Sequence, residues 1–521
     1  MPNTLTRNQK LTYALLGAGI LALLLTITQT FALTYRTLDT PVWTDINTWS
    51  SYGRCIGFGE QLALMFLFVG LYLGGALYLA LRKSLFESRN VYVIALLALM
   101  GAVFLRAWLL DGPQSTWNEW TFQFTADYNT FLRVWIDAFR GMTIRDALVT
   151  PIGDYNMPYL YILIGISRVP IADVYLIKWV SSLFDIGLAI AVMELVRCYI
   201  RKDSVGRGNP NAPHKRQRFA IISLSLALFY PITWLNSAYW AQCDSIYTFF
   251  IVLALLFAVK QRPMLSASMA ALALSFKLQA IFFLPIYLLI AVVFCYEAFK
   301  KNGVADAIRL AATALLTFLA TFFATLMPAL LAGRPLAGTL EIYVNQTGTN
   351  SNFMVLNAST FLAFFFPNIT DTSQFDAPSI IRPAMIILAF VFALTILSIG
   401  ISRWHKNKED LDARNRDFLT VSLLLSLGIV WLLPQMHDRY YYIADILAVA
   451  YAVVHGKKIA WLVPIFVFIG SFAGYSQYLS WWWTGNFRVP IQLGALAIYT
   501  AIMLVAALWW FEWNQRRGAR S

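Results

Sequence analysis

The sequence predicts an all-α, polytopic integral membrane protein, and three observations carry that prediction. Of its 521 residues, 59% are hydrophobic and 13% charged, against about 25% charged in a soluble domain. Apolar runs of roughly 18 residues or more recur along the whole chain, each long enough as a helix to cross a hydrocarbon core of about 30 Å. The basic residues gather in short clusters between these runs, as expected of cytoplasmic loops. The net charge of +13 therefore reads as membrane orientation and not as a nucleic-acid surface.

The clusters Arg7/Lys10, Arg82/Lys83/Arg89, Arg201 to Arg218, Lys260/Arg262, Lys300/Lys301, Arg403 to Arg416, Lys457/Lys458 and Arg516 to Arg520 mark the cytoplasmic side and place both termini there. Walking between them gives about fourteen spans near the ~20 residues that a crossing helix needs. They run roughly over 11–33, 61–82, 91–110, 172–200, 219–238, 243–259, 263–279, 280–298, 305–331, 381–402, 417–434, 440–455, 459–479 and 490–512. The first run, Leu11 to Leu33, has no small-residue cleavage site behind it and reads as a retained anchor. Met157 to Arg168 is apolar but too short to cross, and reads as a half-membrane or juxtamembrane helix. With no repeat, heptad array or long polar stretch, positions 1–521 read as one membrane domain. Cys55, Cys198, Cys243 and Cys295 have no CxxC spacing and suggest neither a metal site nor a disulfide framework.

Two outside loops exceed the rest, Asp111 to Asn156 and Gly333 to Ser379. The first carries Trp117, Trp120 and Trp135, with Trp108 just before it, which fits helices lying at headgroup depth. It also carries Asp127, in Thr125-Ala126-Asp127-Tyr128-Asn129-Thr130-Phe131-Leu132-Arg133-Val134-Trp135, and Asp154, in Asp154-Tyr155-Asn156-Met157-Pro158-Tyr159. Two readings of each stand side by side. Asp154 precedes Pro158, which suits a first helical turn, so its carboxylate either caps that helix or contacts substrate. Asp127 is either a solvated loop carboxylate or a general base, the group that glycosyl transfer needs to take a proton from an attacking hydroxyl.

A phosphate leaving group calls for cations where its charge develops. Arg106, Lys277 (in Ser275-Phe276-Lys277-Leu278-Gln279) and Arg439 (in Met436-His437-Asp438-Arg439-Tyr440) all fall at predicted outer helix ends, against the inside bias. Snorkelling, or an Asp438–Arg439 pair of purely structural role, is the alternative. Asp244, in Trp240-Ala241-Gln242-Cys243-Asp244, lies in a tight outside turn and either caps the next helix or orients hydroxyls. Lys178 and Asp185, about two turns apart in one span, read as satisfying each other or neighbouring helices. Only His437 among four histidines is predicted outside, which argues against a histidine metal centre. No GxxxxGK[ST] or GxGxxG loop appears, which argues against a nucleotide-binding enzyme or ATP-driven pump.

At these residues the chain resembles the GT-C glycosyltransferases. Within that group it resembles the bacterial mannosyltransferases related to the second mannosyltransferase of GPI-anchor synthesis, and the dolichyl-phosphate-glucose-dependent glucosyltransferases. Asp127-Tyr128 with Arg133-Val134-Trp135 resembles their first-loop Asp-Tyr-x-x-x-x-x-x-Trp stretch. Asp154-Tyr155-Asn156-Met157-Pro158 resembles Asp-Tyr-Pro-Pro, with Asn156 for the first proline and one residue inserted. Trp240-Ala241-Gln242-Cys243-Asp244 is similar to Trp-Gly-Gln-x-Asp, with Ala241 for glycine. Phe276-Lys277-Leu278-Gln279 is similar to Phe-Lys-Pro-Gln, and Met436-His437-Asp438-Arg439-Tyr440 to Met-His-Glu-Arg-Tyr. The motifs occur over positions 106 to 440 in the family's order.

The resemblance implies a GT-C fold and a metal-independent, inverting transfer of one hexose, mannose favoured, with Asp127 as base and no cofactor. The donor would be a polyprenyl-phosphate monosaccharide and the acceptor a glycan, glycolipid or protein at the non-cytoplasmic face. Asp154, Tyr155, Arg106, Gln242, Asp244, Lys277, Gln279, His437, Asp438 and Arg439 would bind substrate. A secondary transporter or lipid-linked sugar flippase, and a non-catalytic partner in envelope glycan assembly, are the rival readings. Asn345-Gln346-Thr347, Asn357-Ala358-Ser359 and Asn368-Ile369-Thr370 read as glycosylation sequons that would matter in an endoplasmic reticulum. The lean second loop and short tails favour a bacterial plasma membrane.

Overall fold

The computed structural model describes residues 88–110, 125, 127–169, 173–199, 212–346, 352–372, 377–407, 410–479 and 487–518. The spans expected over 11–33 and 61–82, most of the basic cluster from Arg201, Trp117, Trp120 and Cys55 lie outside the described residues. Among the described residues the regular structure is helical, with no strand.

Chain contacts separate two compact units. The first takes Met1–Gly141, Leu163–Arg197 and Arg201–Ser245, and the second Met142–Ile162, Cys198–Ile200 and Ile246–Ser521. In chain order the helices are α1 (Ser88–Leu109), α2 (Arg133–Arg140), α3 (Ile144–Val149), α4 (Met157–Ile166), α5 (Asp173–Tyr199), α6 (Ala212–Phe229) and α7 (Pro231–Trp234). There follow α8 (Asp244–Val259), α9 (Pro263–Phe276), α10 (Leu284–Asn302), α11 (Val304–Ala332), α12 (Leu336–Asn345), α13 (Ala377–Lys406), α14 (Leu411–Leu432), α15 (Tyr442–His455), α16 (Leu462–Leu479) and α17 (Ile491–Gly518).

Seven helical segments among the described residues are long and apolar enough to cross a membrane. They are Asp173–Tyr199, Leu278–Asn302, Val304–Ala332, Pro378–Lys406, Ala413–Leu432, Lys458–Leu479 and Ile491–Gln515. An eighth results if the pair Gln217–Phe229 and Pro231–Tyr239, bent by 42°, is one span. The bend has a local cause. Tyr230 precedes a proline and sits in the extended region at φ −61°, ψ 125°, because the ring of the following proline disfavours the helical region there. α8, α9 and α15, of 16, 14 and 14 residues, reach only about 21–24 Å at 1.5 Å per residue. That is short of the ~30 Å core, so among the described residues seven helices, or eight with the bent pair, have the length and apolarity to cross. α4 has 10 residues, too few to cross.

In the first unit α1 packs on α6, with Ala98 and Ala102 of α1 and Ala220 and Ala227 of α6 buried. Such small residues let helix backbones approach closely where lipid supplies no hydrophobic drive. Beside this seam Arg106 is fully buried. Its Nε donates to Asp185 Oδ2 at 3.0 Å, Nη1 to the Ala102 and Leu228 carbonyls, and Nη2 to Thr233 Oγ1. Ser237 donates to the same carboxylate oxygen. One arginine thereby ties α1, α5, α6 and α7 together.

A buried charge whose partner is removed becomes costly. Arg106→Ala is expected to destabilise the protein by about 3–5 kcal/mol, read as a lowered thermal midpoint in detergent. Arg106→Met combined with Asp185→Leu, which removes both charges, should lose less than either single change.

Candidate functional site

The first unit builds a carboxylate centre. Asp127 opens a π-helical turn, Asp127–Leu132, that runs into α2. A second π-helical turn, Leu235–Tyr239, carries the end of α7 towards Trp240. Single π turns interrupt an α-helical ladder and are frequent at functional positions. Here they set two chain segments so that the Trp240 indole Nε1 donates to Asp127 Oδ2 at 2.9 Å and the Gln242 amide Nε2 to the same oxygen at 2.8 Å. Two donors on one oxygen fix the orientation of the carboxylate, which stays half-buried while Trp240 and Gln242 are buried. The Gln242 Oε1 has no hydrogen-bond partner among the described residues.

Side chains at positions 240 and 242 reach one oxygen because the residue between them is left-handed. Ala241 has φ +68°, a conformation that costs an L-residue roughly 1–2 kcal/mol and that glycine adopts freely. The family motif that this turn resembles has glycine there. Asn236 clamps the turn from within. Its carbonyl accepts from Gln242 N at 2.8 Å, its Nδ2 donates to Asp244 Oδ2 at 2.8 Å, and its Oδ1 accepts from Asp244 N at 3.3 Å. Asp244 is fully buried and opens α8, with its carboxylate held by Asn236.

Two residues outside the sequence-derived set steady the Asp127 turn. The buried Tyr128 hydroxyl donates to Asp173 at the start of α5, and Arg140 Nη2 reaches the other oxygen of Asp173 at 3.1 Å. Burial, and then the Asp173 charge, push the Tyr128 phenol well above its ordinary range. No spacing rule links Tyr128 to Asp173, and neither motif contains the latter. Arg106, expected at a phosphate, is instead held in its internal network because Asp185 and backbone carbonyls occupy its guanidinium. Lys178 donates to the Leu110 carbonyl at 2.6 Å.

The second unit builds a cationic centre. α9 stops at Phe276 because Lys277 is extended, at φ −153°, ψ 133°, before the 3-10 turn Leu278–Phe283. The break holds Lys277 buried, its Nζ 6.0 Å from the Tyr155 ring centre and 5.7 Å from that of Tyr247. Aromatic faces at such distances attract a cation electrostatically. Gln279 Nε2 donates to Tyr440 Oη at 2.9 Å, and this ties the 3-10 turn to the segment Met436–Tyr440. Arg439 pairs with the buried Asp438 at 3.5 Å. Between the cations lies His437, whose pKa is pushed down to about 3, first by burial and then by Arg439 and Lys277. α16 backs this segment closely, since a Cβ on Gly474 would lie 2.7 Å from the Asn357 carbonyl and 3.0 Å from that of Asp438.

Asp154 is exposed, and its carbonyl accepts from Gln346 Nε2 at 2.5 Å. α4 begins at Met157 with Pro158 in its first turn, so the cap position falls on Asn156, whose side chain meets Gln346 and the Leu274 carbonyl. Two of the three sequons are structural. Asn368 Nδ2 donates to Asn357 Oδ1 at 2.6 Å and Asn357 N to Asn368 Oδ1 at 2.8 Å, with Asn357 buried. A buried, amide-paired asparagine is not available for glycosylation. Thr347 of the third lies outside the described residues. Among the described residues no group of three or more His, Cys, Asp or Glu side chains gathers as metal ligands would. Comparison with protein-family models and with curated proteins found no match.

Ala241→Gly should leave the thermal midpoint unchanged or raised, because the released strain offsets the entropy that glycine loses, whereas Ala241→Val should lower it. In an ordinary helix the glycine change costs about 0.5–1 kcal/mol, so a loss of that size would contradict the left-handed assignment. His437 titrates near 6.5 in an unfolded chain and near 3 in the fold. The unfolded state therefore binds more protons between those values. The contribution of neutral His437 is complete above about pH 6.5 and is lost as pH falls towards 3. His437→Gln should accordingly show a flatter midpoint-against-pH curve than wild type between about pH 6.5 and 4.

Proposed function

We propose that the protein is a membrane glycosyltransferase of the GT-C type that moves one hexose, mannose favoured, from a polyprenyl-phosphate carrier to an acceptor hydroxyl. The observation that carries the reading is the Asp127 carboxylate, oriented by the Trp240 and Gln242 N–H groups yet only half-buried. A general base needs both a fixed direction and access to the proton it takes. The acceptor O–H bond breaks as its proton passes to Asp127, and the oxygen bonds to the anomeric carbon. The carbon–oxygen bond to phosphate breaks on the opposite face, and polyprenyl phosphate leaves with the electron pair, so the anomeric configuration inverts. In this reading Lys277 and Arg439 hold the phosphate, and neutral His437 and Gln279 offer hydrogen bonds to it. Asp154 and Tyr155 contact sugar hydroxyls. The reaction faces the non-cytoplasmic side, with a bacterial plasma membrane favoured and the acceptor a glycan, glycolipid or protein.

A transporter or flippase is the second reading. It is favoured by the helix break at Lys277 and by the buried Arg106–Asp185 pair, since broken helices and intramembrane charges mark transport pathways. The two part cleanly in detergent, where a transferase turns over and a transporter has no compartments to connect.

Purified protein should transfer radiolabelled sugar from one member of a panel of polyprenyl-phosphate monosaccharides to acceptors extracted from membranes. Asp127→Asn, shown to be folded in detergent, should lose about 10²–10⁴-fold of the rate, the usual contribution of a positioned base. Full activity in that variant would overturn the base assignment, and no transfer from any donor would overturn the enzyme reading.

A further inference from the structure

The second unit holds a cleft whose lining includes none of the residues assigned above. The last turns of α10 and α13 enclose a cleft of about 290 Å³, lined by Val292, Val293, Tyr296, Ile401, Trp404 and Lys406 among others. Its walls are apolar, and both helices belong to candidate membrane spans whose surfaces are mostly uncovered by protein, with 33% and 28% of their apolar windows buried. Val292 is 52% exposed and Ile401 39%, so hydrocarbon is the solvent these residues require.

The rim is cationic. Lys300 and Lys301 end α10 and Lys406 ends α13, all exposed. Lys300 Nζ stands 5.8 Å from the Tyr296 ring and Lys406 Nζ 5.0 Å from that of Trp513. Among the described carboxylates here, Glu297 pairs with Arg414, and Asp417 with Arg403 at 3.0 Å. Lys300, Lys301 and Lys406 add positive charge at this end. Tyr296 packs edge-on against Trp404, with ring centres 5.2 Å apart, and Arg414 lies 4.7 Å from the Trp404 ring, so aromatic amphipathic groups mark headgroup depth here.

We propose that this cleft holds one anionic phospholipid, an acyl chain against Val292, Val293 and Ile401 and the phosphate at Lys300 and Lys406. A basic pocket between membrane helices selects an anionic headgroup by charge, and an apolar cleft below it selects a tethered chain over a free anion. The occupant sits in the leaflet at the lysine-bearing end and takes no part in the transfer proposed above.

Native mass spectrometry of the delipidated full chain tests this, with phosphatidylglycerol, phosphatidylcholine of the same acyl chains, and glycerophosphate as probes. One phosphatidylglycerol should bind on the order of tenfold tighter than phosphatidylcholine. Lys300→Ala with Lys406→Ala should abolish that preference, and Val292→Trp, which fills the cleft, should weaken both lipids. Equal affinity for the two lipids, an unchanged preference in the double variant or an unaffected Val292→Trp protein would overturn the proposal. Glycerophosphate binding as tightly as the lipid would overturn it too, in favour of a free-anion site. Thermal midpoints equal to wild type show that the variants are folded.

Discussion

The Asp127 carboxylate depends on two N–H donors that come from one tight turn, and much of the first unit can be understood as what is needed to keep that turn in place. Trp240 and Gln242 reach the same oxygen only because Ala241 reverses the chain between them. Asn236 closes the turn around Gln242 and Asp244, while one π-helical turn begins at Asp127 and another, Leu235–Tyr239, leads into Trp240. Below it, Ser237 joins the Arg106–Asp185 network, so the turn is continuous with the buried charge pair that ties four helices together. A misplacement of about 1 Å at a reacting group is expensive, and this chain of contacts is what limits it.

The second unit solves the converse problem, which is to keep cations buried in an apolar body. Lys277 escapes the helix ladder by an extended residue and lies between two aromatic rings, and Arg439 takes Asp438 as partner. The cost falls on His437, which stays neutral because burial and both cations oppose its protonation. A neutral imidazole and a lysine among aromatic faces suit an anionic ligand with hydrogen-bonding oxygens.

Much of this was legible in the sequence, and the remainder follows from what hydropathy and spacing report. Long apolar runs such as 172–200 and 305–331 became α5 and α11 within a few residues, because burial in lipid needs only length and apolarity. The shorter runs 243–259, 263–279 and 440–455 became helices of 16, 14 and 14 residues. Hydropathy placed the boundary near Lys277 within a few residues and left the segment between α14 and α15 outside the spans, but it does not give their geometry. Asp127 and Gln242 were singled out by motif, but their direct bond joins residues 115 apart, and nothing local announces it. Asp173 lies 45 residues from Tyr128 and belongs to no motif. The sequons show the opposite failure, because a triplet describes a local pattern and the Asn357–Asn368 pair is a tertiary one.

The most direct test of the central claim is a double-mutant cycle on the Asp127–Trp240 contact. Asp127→Ala, Trp240→Phe and their combination would be compared by thermal or denaturant unfolding in detergent. Trp240→Phe removes the N–H donor together with part of the buried indole, and the cycle separates the two because only the donor contribution depends on Asp127. Hydrogen bonds to a charged group contribute about 1.5–3 kcal/mol, so the two changes should be non-additive by ~1 kcal/mol or more. Additivity within about 0.3 kcal/mol would mean that the indole does not hold the carboxylate, and would contradict the account of the site built on it.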